Sequence, residues 1–547
     1  MSEQQSGMLE INYVSLAERR IFAARLRWDR GLVTEILEQG EEDPQRDYIL
    51  PGFIDAHVHI ESAMLPPAEF ARLAVCHGTL AVVADPHEIA NVLGVPGVQF
   101  MIDNARKSPF HAFFGAPSCV PATPFETTAG ELGCDQIEQL FNEPEVCCLS
   151  EMMNYPGVLT GAPEVMTKID LARRLGYPVD GHAPGLQGAE AASYVRAGIS
   201  TDHECFSMQE ARDKIAAGMQ VLIREGSAAR NLDTLHPLIG ESPGQVMFCS
   251  DDKHPDDLLR GHINEMVRRA VAAGHDLFDV LGCACSNPIA HYHLPLGLLR
   301  PGDPMDGMVV PDLITFAPSR VWLAGSVVVE QGQPRLPRAA VERVNMFDAR
   351  RISTADLSLP AAAGPVRVIG VEDGSLVTRE RRLLPRREAG CLVADPEQDL
   401  LLICVVNRYR PEPPAVALVQ GFGLQQGAIA SSVAHDSHNI ICVGADPASI
   451  CQAVNCVIDH RGGIAVATAG QVDILPLPIA GIMSDQDGAW VATEYSRLDR
   501  QARNLGSTLS APFMTLSFMA LLVIPELKLS DQGLFDGRSF SFVGLSA

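Results

Sequence analysis

The 547-residue sequence has few positive charges: 42 Lys and Arg stand against 67 Asp and Glu, which gives a net charge of −25 at pH 7. A chain this acidic repels phosphate backbones and anionic membrane surfaces, so we expect neither nucleic acid nor a membrane as a partner. Apolar residues make up 47% and charged residues 20% of the sequence, which is typical of a globular protein with a large buried core. A small neutral substrate, together with water, is the expected partner.

The sequence also lacks a long hydrophobic run. The most apolar stretch, residues 511–524, spans about 14 residues and contains Pro512 and Thr515, whereas a membrane helix needs about 20. The N-terminal residues MSEQQSGMLEINY lack the basic and apolar regions of a secretory signal. We therefore expect a cytoplasmic protein. We further expect a homo-oligomer, a dimer or larger.

Paired cysteine motifs are missing as well. Fourteen cysteines are present, but none forms the C-x-x-C pair of a zinc or disulfide scaffold. They occur singly, as Cys147-Cys148, and as Cys283-Ala-Cys285. Reduced cysteines in the core are therefore expected.

Apolar, β-prone runs recur between residues 48 and 252, each stopped by polar residues, Gly or Pro and followed by a helical pattern. Their spacing, about 20 to 35 residues, predicts the alternating strands and helices of an α/β fold, a (β/α)8 barrel over residues 49–304. Burial on both faces explains why the runs do not alternate between apolar and polar residues. The eight runs are residues 48–59, 79–87, 111–118, 146–151, 177–182, 198–203, 219–226 and 245–252.

The segments on either side of the predicted barrel have a different pattern. Short alternating runs occur in RRIFAARLRW and in DLITFAPSRVWLAGSVVVEQGQ, where Gly325-Ser326 is at a hairpin position. Residues 1–48 and 305–350 are therefore expected to form one small flanking β domain. The stretch LSLPAAAGP is typical of a linker, and residues 362–547 are expected to form a C-terminal domain of mixed α and β structure.

The polar residues that end the barrel runs are of the types that bind metal ions. Such barrels place functional groups at the carboxyl ends of their strands. His57 and His59, two residues apart on one strand, are expected to point the same way. A carboxylate among imidazoles favours two ions with a bridging ligand, which we assign to Glu151. The predicted ligands are His57, His59, Glu151, His182, His203 and Asp251.

The eighth run offers two neighbouring carboxylates, Asp251 and Asp252, and spacing alone does not choose between them. Asp251 directly follows the apolar run and the small residue Ser250. This position favours Asp251 as the ligand.

Long sequence blocks along nearly the whole chain resemble one family. In the barrel they include PGFIDAHVHIESAMLPPAEFA, HGTLAVVADPHEIANVLG, PSCVPATPFET, EMMNYPGVL, VDGHAPGL, TDHE, IREGSAARNL and SDDKHPDDLL. In the C-terminal part they include QGFGLQQGAIASSVAHDSHNI, LPLPIAGIMSD and APFMTLSFMALLVIPELKLSD. These blocks are similar to those of the bacterial adenine deaminases of the amidohydrolase superfamily.

The resemblance implies an enzyme of purine salvage that hydrolyses adenine to hypoxanthine and ammonia at a binuclear centre. Two divalent ions are implied, first of all Mn²⁺, with Fe²⁺ or Zn²⁺ as the other candidates. The family's ligand positions fall on the six residues predicted above. Asp251 is also the implied proton-transfer residue, which agrees with its predicted place beside the attacking water.

Other charged residues near the strand ends have two interpretations each. Asp85, His87 and Glu88 follow the second run, where His87 and Glu88 are candidate catalytic residues and Asp85 a candidate substrate ligand; the alternative is an acidic, helix-capping turn. Arg224 and Glu225 end the seventh run and are predicted either to contact substrate or to form internal ion pairs.

Two other functions are consistent with a barrel of this kind. A cyclic-amide hydrolase of the dihydroorotase or imidase kind usually bridges its metals with a carboxylated Lys on the fourth strand, but that run ends in Glu151, and the next Lys is Lys168. A catalytically silent metal-binding scaffold would be free to lose ligands, and none is missing.

In the C-terminal part, five polar residues from His435 to Asn439 precede the apolar run IICVG. They follow a stretch of Gly and small residues whose backbone can approach another surface closely. His435 and His438 are therefore candidate substrate-binding residues at the mouth of the active site. The alternative is a hydrogen-bonded structural turn, since Asn, Asp and Ser favour turns.

Overall fold

The structure is a computed structural model that describes residues 5–361, 364–468 and 470–547. It begins with a meander of three long strands and a short fourth strand. The strands are β1 (Gly7–Ser15), β2 (Arg20–Asp29), β3 (Leu32–Glu41) and β4 (Tyr48–Pro51). The boundary expected at residue 362 lies outside the described residues.

Eight strands then alternate with helices, as the sequence predicts. The strands are β5 (Phe53–Val58), β6 (Thr79–Ala84), β7 (His111–Ala116), β8 (Val146–Met152), β9 (Val179–Gly181), β10 (Thr201–Asp202), β11 (Gln220–Arg224) and β12 (Val246–Cys249). The helices are α1 (Pro67–Ala74), α2 (His87–Leu93), α3 (Val95–Ala105), α4 (Cys134–Leu140), α5 (Tyr155–Thr160), α6 (Pro163–Leu175), α7 (Gly188–Ala197), α8 (Met208–Ala216), α9 (Leu232–Leu235), α10 (Leu238–Glu241), α11 (Pro255–Arg260), α12 (Ile263–Ala272), α13 (Leu277–Leu281) and α14 (Asn287–Tyr292).

These eight strands form a closed parallel barrel. Strands β5 to β9 pair in sequence order, as do β10 to β12. Val58 bridges to Asp251, and Ser200 N donates to Val179 O at 2.8 Å, which joins the two sets at both seams. The predicted (β/α)8 fold is confirmed. Strands such as β6 and β12 are buried at every residue, because the barrel interior covers one face and the helices cover the other.

The chain next returns to the N-terminal sheet. Strands β13 (Gly307–Val310), β14 (Arg320–Leu323), β15 (Ser326–Glu330) and β16 (Gln333–Pro334) extend it to the order β16-β15-β14-β13-β4-β1-β2-β3. Ala324 and Gly325 turn the predicted hairpin between β14 and β15 with φ of 46° and 74°. Both flanks therefore contribute to one sheet.

The first apolar run differs from its prediction as a single barrel strand. Tyr48–Pro51 pairs with β1 and β13 in the flanking sheet, and only Phe53–Val58 enters the barrel. A Cβ atom on Gly52 would come within 2.3 Å of the Leu80 side chain, so the chain packs too closely there for a larger residue. The first barrel strand therefore begins at Phe53, a few residues after the predicted start of the barrel domain at residue 49, and the boundary itself stays a prediction.

The C-terminal part is a second α and β assembly. Its strands are β17 (Leu359–Pro360), β18 (Val366–Gly370), β19 (Arg379–Leu383), β20 (Arg387–Glu388), β21 (Cys391–Leu392), β22 (Leu400–Val406), β23 (Ala415–Gln420), β24 (Ala428–Ser431), β25 (Ile440–Gly444), β26 (Gly463–Thr468), β27 (Gln471–Pro476), β28 (Leu527–Ser530), β29 (Gly533–Asp536) and β30 (Ser541–Phe542). Its helices are α15 (Pro447–Asp459), α16 (Gly488–Asn504) and α17 (Pro512–Ser517).

Eight of these strands form the main C-terminal sheet, in the order β19-β18-β23-β22-β25-β24-β26-β27. One face of the sheet packs on helix α15 through a separate core that includes Ile450 and Val454. The other face joins the core that continues into the barrel, through residues such as Ile403 and Val443. Among the described residues, no helix has both the length and the apolar character needed to cross a bilayer.

Candidate metal centre

The structure brings all six predicted ligand residues together at the carboxyl ends of the barrel strands. His57 lies on β5, and His59 follows it; Glu151 lies on β8. The other three directly or closely follow β9, β10 and β12. The carboxyl ends of the barrel strands meet at one end of the barrel, so the six side chains converge there: His57, His59, Glu151, His182, His203 and Asp251. All are buried except His182, which is partly exposed.

Glu151 lies between two groups of imidazoles. Its Oε1 is 3.4 Å from His59 Nε2. Its Oε2 is 2.6 Å from His182 Nδ1 and 3.3 Å from His203 Nε2. Because each carboxylate oxygen faces a different histidine group, Glu151 has the placement of a ligand that two ions would share.

A second subset joins the first strand to the last. Asp251 Oδ1 is 3.2 Å from His59 Nε2 and 3.8 Å from His57 Nε2. The His59 Nδ1 atom is 3.1 Å from the carbonyl oxygen of Asp85, a contact that orients the ring and leaves Nε2 facing the cluster. Asp252, the alternative ligand, instead accepts a hydrogen bond from Ser62.

The donor set fits divalent metal ions. Several overlapping groups of three or four residues, among them His57, His59 and Asp251, have ligand atoms within 4.8 Å of one another. His57 Nε2 is buried and has no hydrogen-bond partner within the described part of the chain. A buried imidazole nitrogen without a partner is costly, whereas coordination to a cation would satisfy it.

The charges around Asp251 are balanced by Arg224, on β11. Arg224 is 4% exposed and donates to both oxygens of Glu204 and to Asp251 Oδ2. Burial alone would raise the pKa of Asp251, but Arg224 and the neighbouring imidazoles hold it well below its ordinary value. Arg224 is therefore an ion-pair partner inside the centre and is engaged by two carboxylates of the chain itself.

Sequence reasoning missed Glu204, the partner of Arg224. Glu204 directly follows the ligand His203, and its Oε1 is 3.5 Å from His203 Nε2. Burial lowers the pKa of His182, but Glu204 and Glu151 outweigh burial and raise it to about 9. The sequence did offer one indication of Glu204: an acidic residue that directly follows the histidine at a strand end.

Glu225 does not reach the cluster. Its carboxylate pairs with Arg269 on α12 and accepts the Leu232 backbone N–H at 3.3 Å. Of the two interpretations of Glu225, these contacts are those of an internal ion pair, because both partners lie on helices outside the ligand cluster. Lys168 likewise lies elsewhere and donates to Ser118 O at 2.8 Å.

Asp85, His87 and Glu88 lie beside the cluster at the start of α2. Asp85 Oδ2 is 3.0 Å from His87 Nδ1, and that same nitrogen is 3.6 Å from Glu151 Oε1. Asp85 therefore holds His87, and its carboxylate also lies in a group with His59, His87 and Glu151 whose ligand atoms are within 4.8 Å of one another. The remaining His87 nitrogen, Nε2, is 3.6 Å from Glu88 Oε1.

Glu88 joins the barrel to the C-terminal assembly. His435 Nδ1 is 2.6 Å from Glu88 Oε1, and His438 Nε2 contacts Glu88 Oε2. Burial lowers the pKa of His435, but Glu88 outweighs it and raises that pKa to about 9. The segment from His435 to Asn439 thus reaches the barrel's functional end, although its histidines bind Glu88 and not the central ligands.

Two residues outside the cluster support its geometry. Asp55, two residues before His57, accepts hydrogen bonds from Ser250 N at 2.9 Å and from His57 N at 3.3 Å. His262 Nε2 is 2.9 Å from the Asp55 carboxylate. Asp55 therefore ties the strand that carries His57 to the strand end that carries Asp251.

Comparisons with known proteins agree on one family. The amidohydrolase family model matches residues 48–328, and the model of the adenine deaminase C-terminal domain matches residues 375–541. An adenine deaminase of Salinibacter ruber is 54% identical over 532 residues, which cover 97% of this chain and 97% of that protein. An adenine deaminase of Sulfurovum sp. is 53% identical over 98% of this chain and 99% of that protein. One of Methanosarcina mazei is 48% identical, with 98% of each chain covered.

Proposed function

The chain belongs to the adenine deaminase family of the amidohydrolases and catalyses the hydrolytic deamination of adenine, and we propose that it does so at a binuclear metal centre. The observation that carries this proposal is the placement of Glu151. One of its carboxylate oxygens faces His59, and the other faces His182 and His203. A single ion would not use histidines on both sides of one carboxylate.

The residues divide into two binding groups. His57, His59 and Asp251 would hold one ion, and His182 and His203 the other, with Glu151 shared between them. When bound, divalent ions acidify water, so that it can act as a nucleophile near neutral pH. Manganese is our proposed metal because the family resemblance implies it first, and the set of four imidazoles and two carboxylates is also compatible with Fe²⁺ or Zn²⁺.

Asp251 would move the proton that the reaction requires. Its Oδ2 is bound by Arg224, so its Oδ1, which faces His57 and His59, would serve with one lone pair as the metal ligand and with the other as the acceptor of a proton from the attacking water. Arg224 favours the ionised form of Asp251, which that acceptor role needs. Asp251 then returns the proton to the ring or the departing amine, and hypoxanthine and ammonia result.

His87 and Glu88 would assist at the edge of the centre. Asp85 fixes His87 through Nδ1, which leaves Nε2 directed towards Glu88. Both oxygens of Glu88 are engaged by His435 and His438. We propose that this chain of groups relays a proton between the barrel and the C-terminal assembly, with Glu88 and His87 as its barrel members.

We propose a place for the reaction in purine salvage and a cytoplasmic location. All fourteen cysteines lie in the described residues and are free thiols, which supports a reducing compartment. A homo-oligomer remains a prediction.

The direct test is turnover by Mn²⁺-loaded protein. Adenine, adenosine, dihydroorotate and hydantoin would be offered in parallel, and ammonia, hypoxanthine and ring-opened products measured. We expect ammonia and hypoxanthine from adenine and little reaction with adenosine. Ring opening of a cyclic amide without ammonia release from adenine would contradict the proposal. His182→Ala is the matched loss-of-ligand control.

A further inference from the structure

The segment from His435 to Asn439 is held firmly within the C-terminal assembly. His435 N donates to Ser517 O at 3.2 Å, and Tyr409 OH donates to Ser437 O at 2.6 Å. The Asn439 side chain accepts the Arg408 backbone N–H at 3.0 Å. These bonds hold the backbone on both sides of Asp436, so the position of its carboxylate is determined by the fold.

The Asp436 carboxylate lies next to the candidate centre, in a buried group with His87 and Glu88. The residue is 3% exposed, and its Oδ1 is 4.0 Å from His87 Nε2. The other nitrogen of His87 is 3.6 Å from Glu151 Oε1. A single imidazole ring therefore separates Asp436 from the carboxylate placed to bridge the metals.

One oxygen of the Asp436 carboxylate lacks a hydrogen-bond donor among the described residues. Its Oδ2 is buried and has no partner within residues 5–361, 364–468 and 470–547. Glu126, on the loop after β7, is also buried and has an unpartnered Oε2 by the same criterion. The two carboxyls are close enough for the charge of Asp436 to add to burial in raising the pKa of Glu126.

Buried carboxyl oxygens without donors are expensive, because each has lost its water and gained nothing in return. A ligand that supplies an N–H group would remove this cost. Free adenine carries such a group on its imidazole ring, at the end of the molecule remote from the amino-bearing carbon. In a nucleoside the same nitrogen carries the sugar and has no hydrogen to donate.

We propose that Asp436 accepts the imidazole N–H of free adenine, so that the C-terminal assembly selects the base against its nucleoside. This inference rests on the proposed function, because it assumes that adenine reacts at the adjacent centre. It makes Asp436 a specificity-determining residue that contacts the substrate and is not one of the six proposed metal ligands.

The test compares adenine with 9-methyladenine, which lacks the N–H but keeps the rest of the ring. For Asp436→Ala we expect kcat/KM for adenine to fall roughly 10- to 100-fold, mainly through KM, as for loss of a bond to a charged group. Turnover of 9-methyladenine should not fall. Asp436→Asn keeps the shape and a weaker acceptor, so its kcat/KM for adenine should lie between those of wild type and Asp436→Ala.

Binding to metal-free protein gives a readout that does not depend on catalysis. Calorimetric titration with adenine should show the same loss of affinity in Asp436→Ala, with no such loss for 9-methyladenine. Asp446→Asn is the matched control, because this carboxylate of the same assembly bonds to Ser449 at the start of α15. It should behave as wild type in both assays.

The outcomes separate this inference from the proposed function. If wild-type protein fails to deaminate adenine, the proposed function fails. If wild type deaminates adenine and a folded, metal-replete Asp436→Ala still distinguishes adenine from 9-methyladenine as strongly as wild type, the role of Asp436 is overturned. Should Asp436→Ala not fold, the same comparison with Asp436→Asn decides.

Discussion

Replacing Arg224 with methionine tests the charge balance beneath the candidate centre. Arg224 is 4% exposed and donates to both oxygens of Glu204 and to Asp251. Methionine fills a similar volume but leaves two buried carboxylates without their cation. Removing one partner of a buried ion pair costs roughly 3–5 kcal/mol, and we expect the upper part of that range because two carboxylates lose their partner.

The assay is urea unfolding of metal-free protein, with stability taken from the midpoint and the slope of the transition. Arg224→Lys is the matched control. It keeps the charge but loses the two-pronged geometry towards Glu204, so its stability should lie between those of wild type and Arg224→Met.

Metal loading should reduce the difference in the free energy of unfolding between Arg224→Met and wild type. The reason is that divalent cations would neutralise part of the same negative charge. Bound metal stabilises the folded state in both proteins by mass action, so the comparison is made at saturating Mn²⁺. The free energy of unfolding of metal-free Arg224→Met could instead lie within about 1 kcal/mol of the wild-type value, which is the contribution of an exposed ion pair. That result would refute the claim that Arg224 compensates the two buried carboxylates.

Three further changes test other parts of the account. The double variant His435→Ala, His438→Ala leaves Glu88 buried without its two histidine partners. We therefore expect reduced adenine turnover and a lower unfolding temperature at unchanged metal content. Full activity in a normally stable protein would show that the segment has only a structural role. Burial lowers the pKa of Lys528 to about 7, so the unfolded chain binds the extra proton between pH 7 and the ordinary lysine value, and stability should rise with pH across that window. Lys528→Met should abolish this rise in urea titrations, and an unchanged pH slope would contradict the assignment. Glu225→Gln should leave kcat/KM for adenine unchanged. A tenfold loss of kcat/KM would indicate that Glu225 contacts the substrate.

The barrel was predictable because its signal is local and repeated. Eight apolar runs recur with helical stretches between them, and each is stopped by polar residues, Gly or Pro. The structure therefore brings the candidate ligand residues together in the way that the repeated pattern of the sequence indicates. His57 and His59 are close on one strand, and the remaining ligands follow from the closure of the barrel.

The contacts that sequence reasoning missed or misplaced depend on tertiary structure. No residue near Arg224 in the sequence indicates that its guanidinium will form an ion pair with Glu204, which is 20 residues away. The contact of Glu88 with His435 spans 347 residues, so no periodicity or spacing rule reports it. The split of the first run at Gly52 likewise follows from close packing against Leu80, which only the folded sheet reveals.

The central claim is that two ions share Glu151, and metal analysis of fully active protein tests it most directly. We expect two divalent ions per chain in wild type. In Glu151→Gln, which keeps the shape but loses the shared charge, we expect one ion or fewer and no turnover. Full activity of wild type with a single ion per chain would contradict the account.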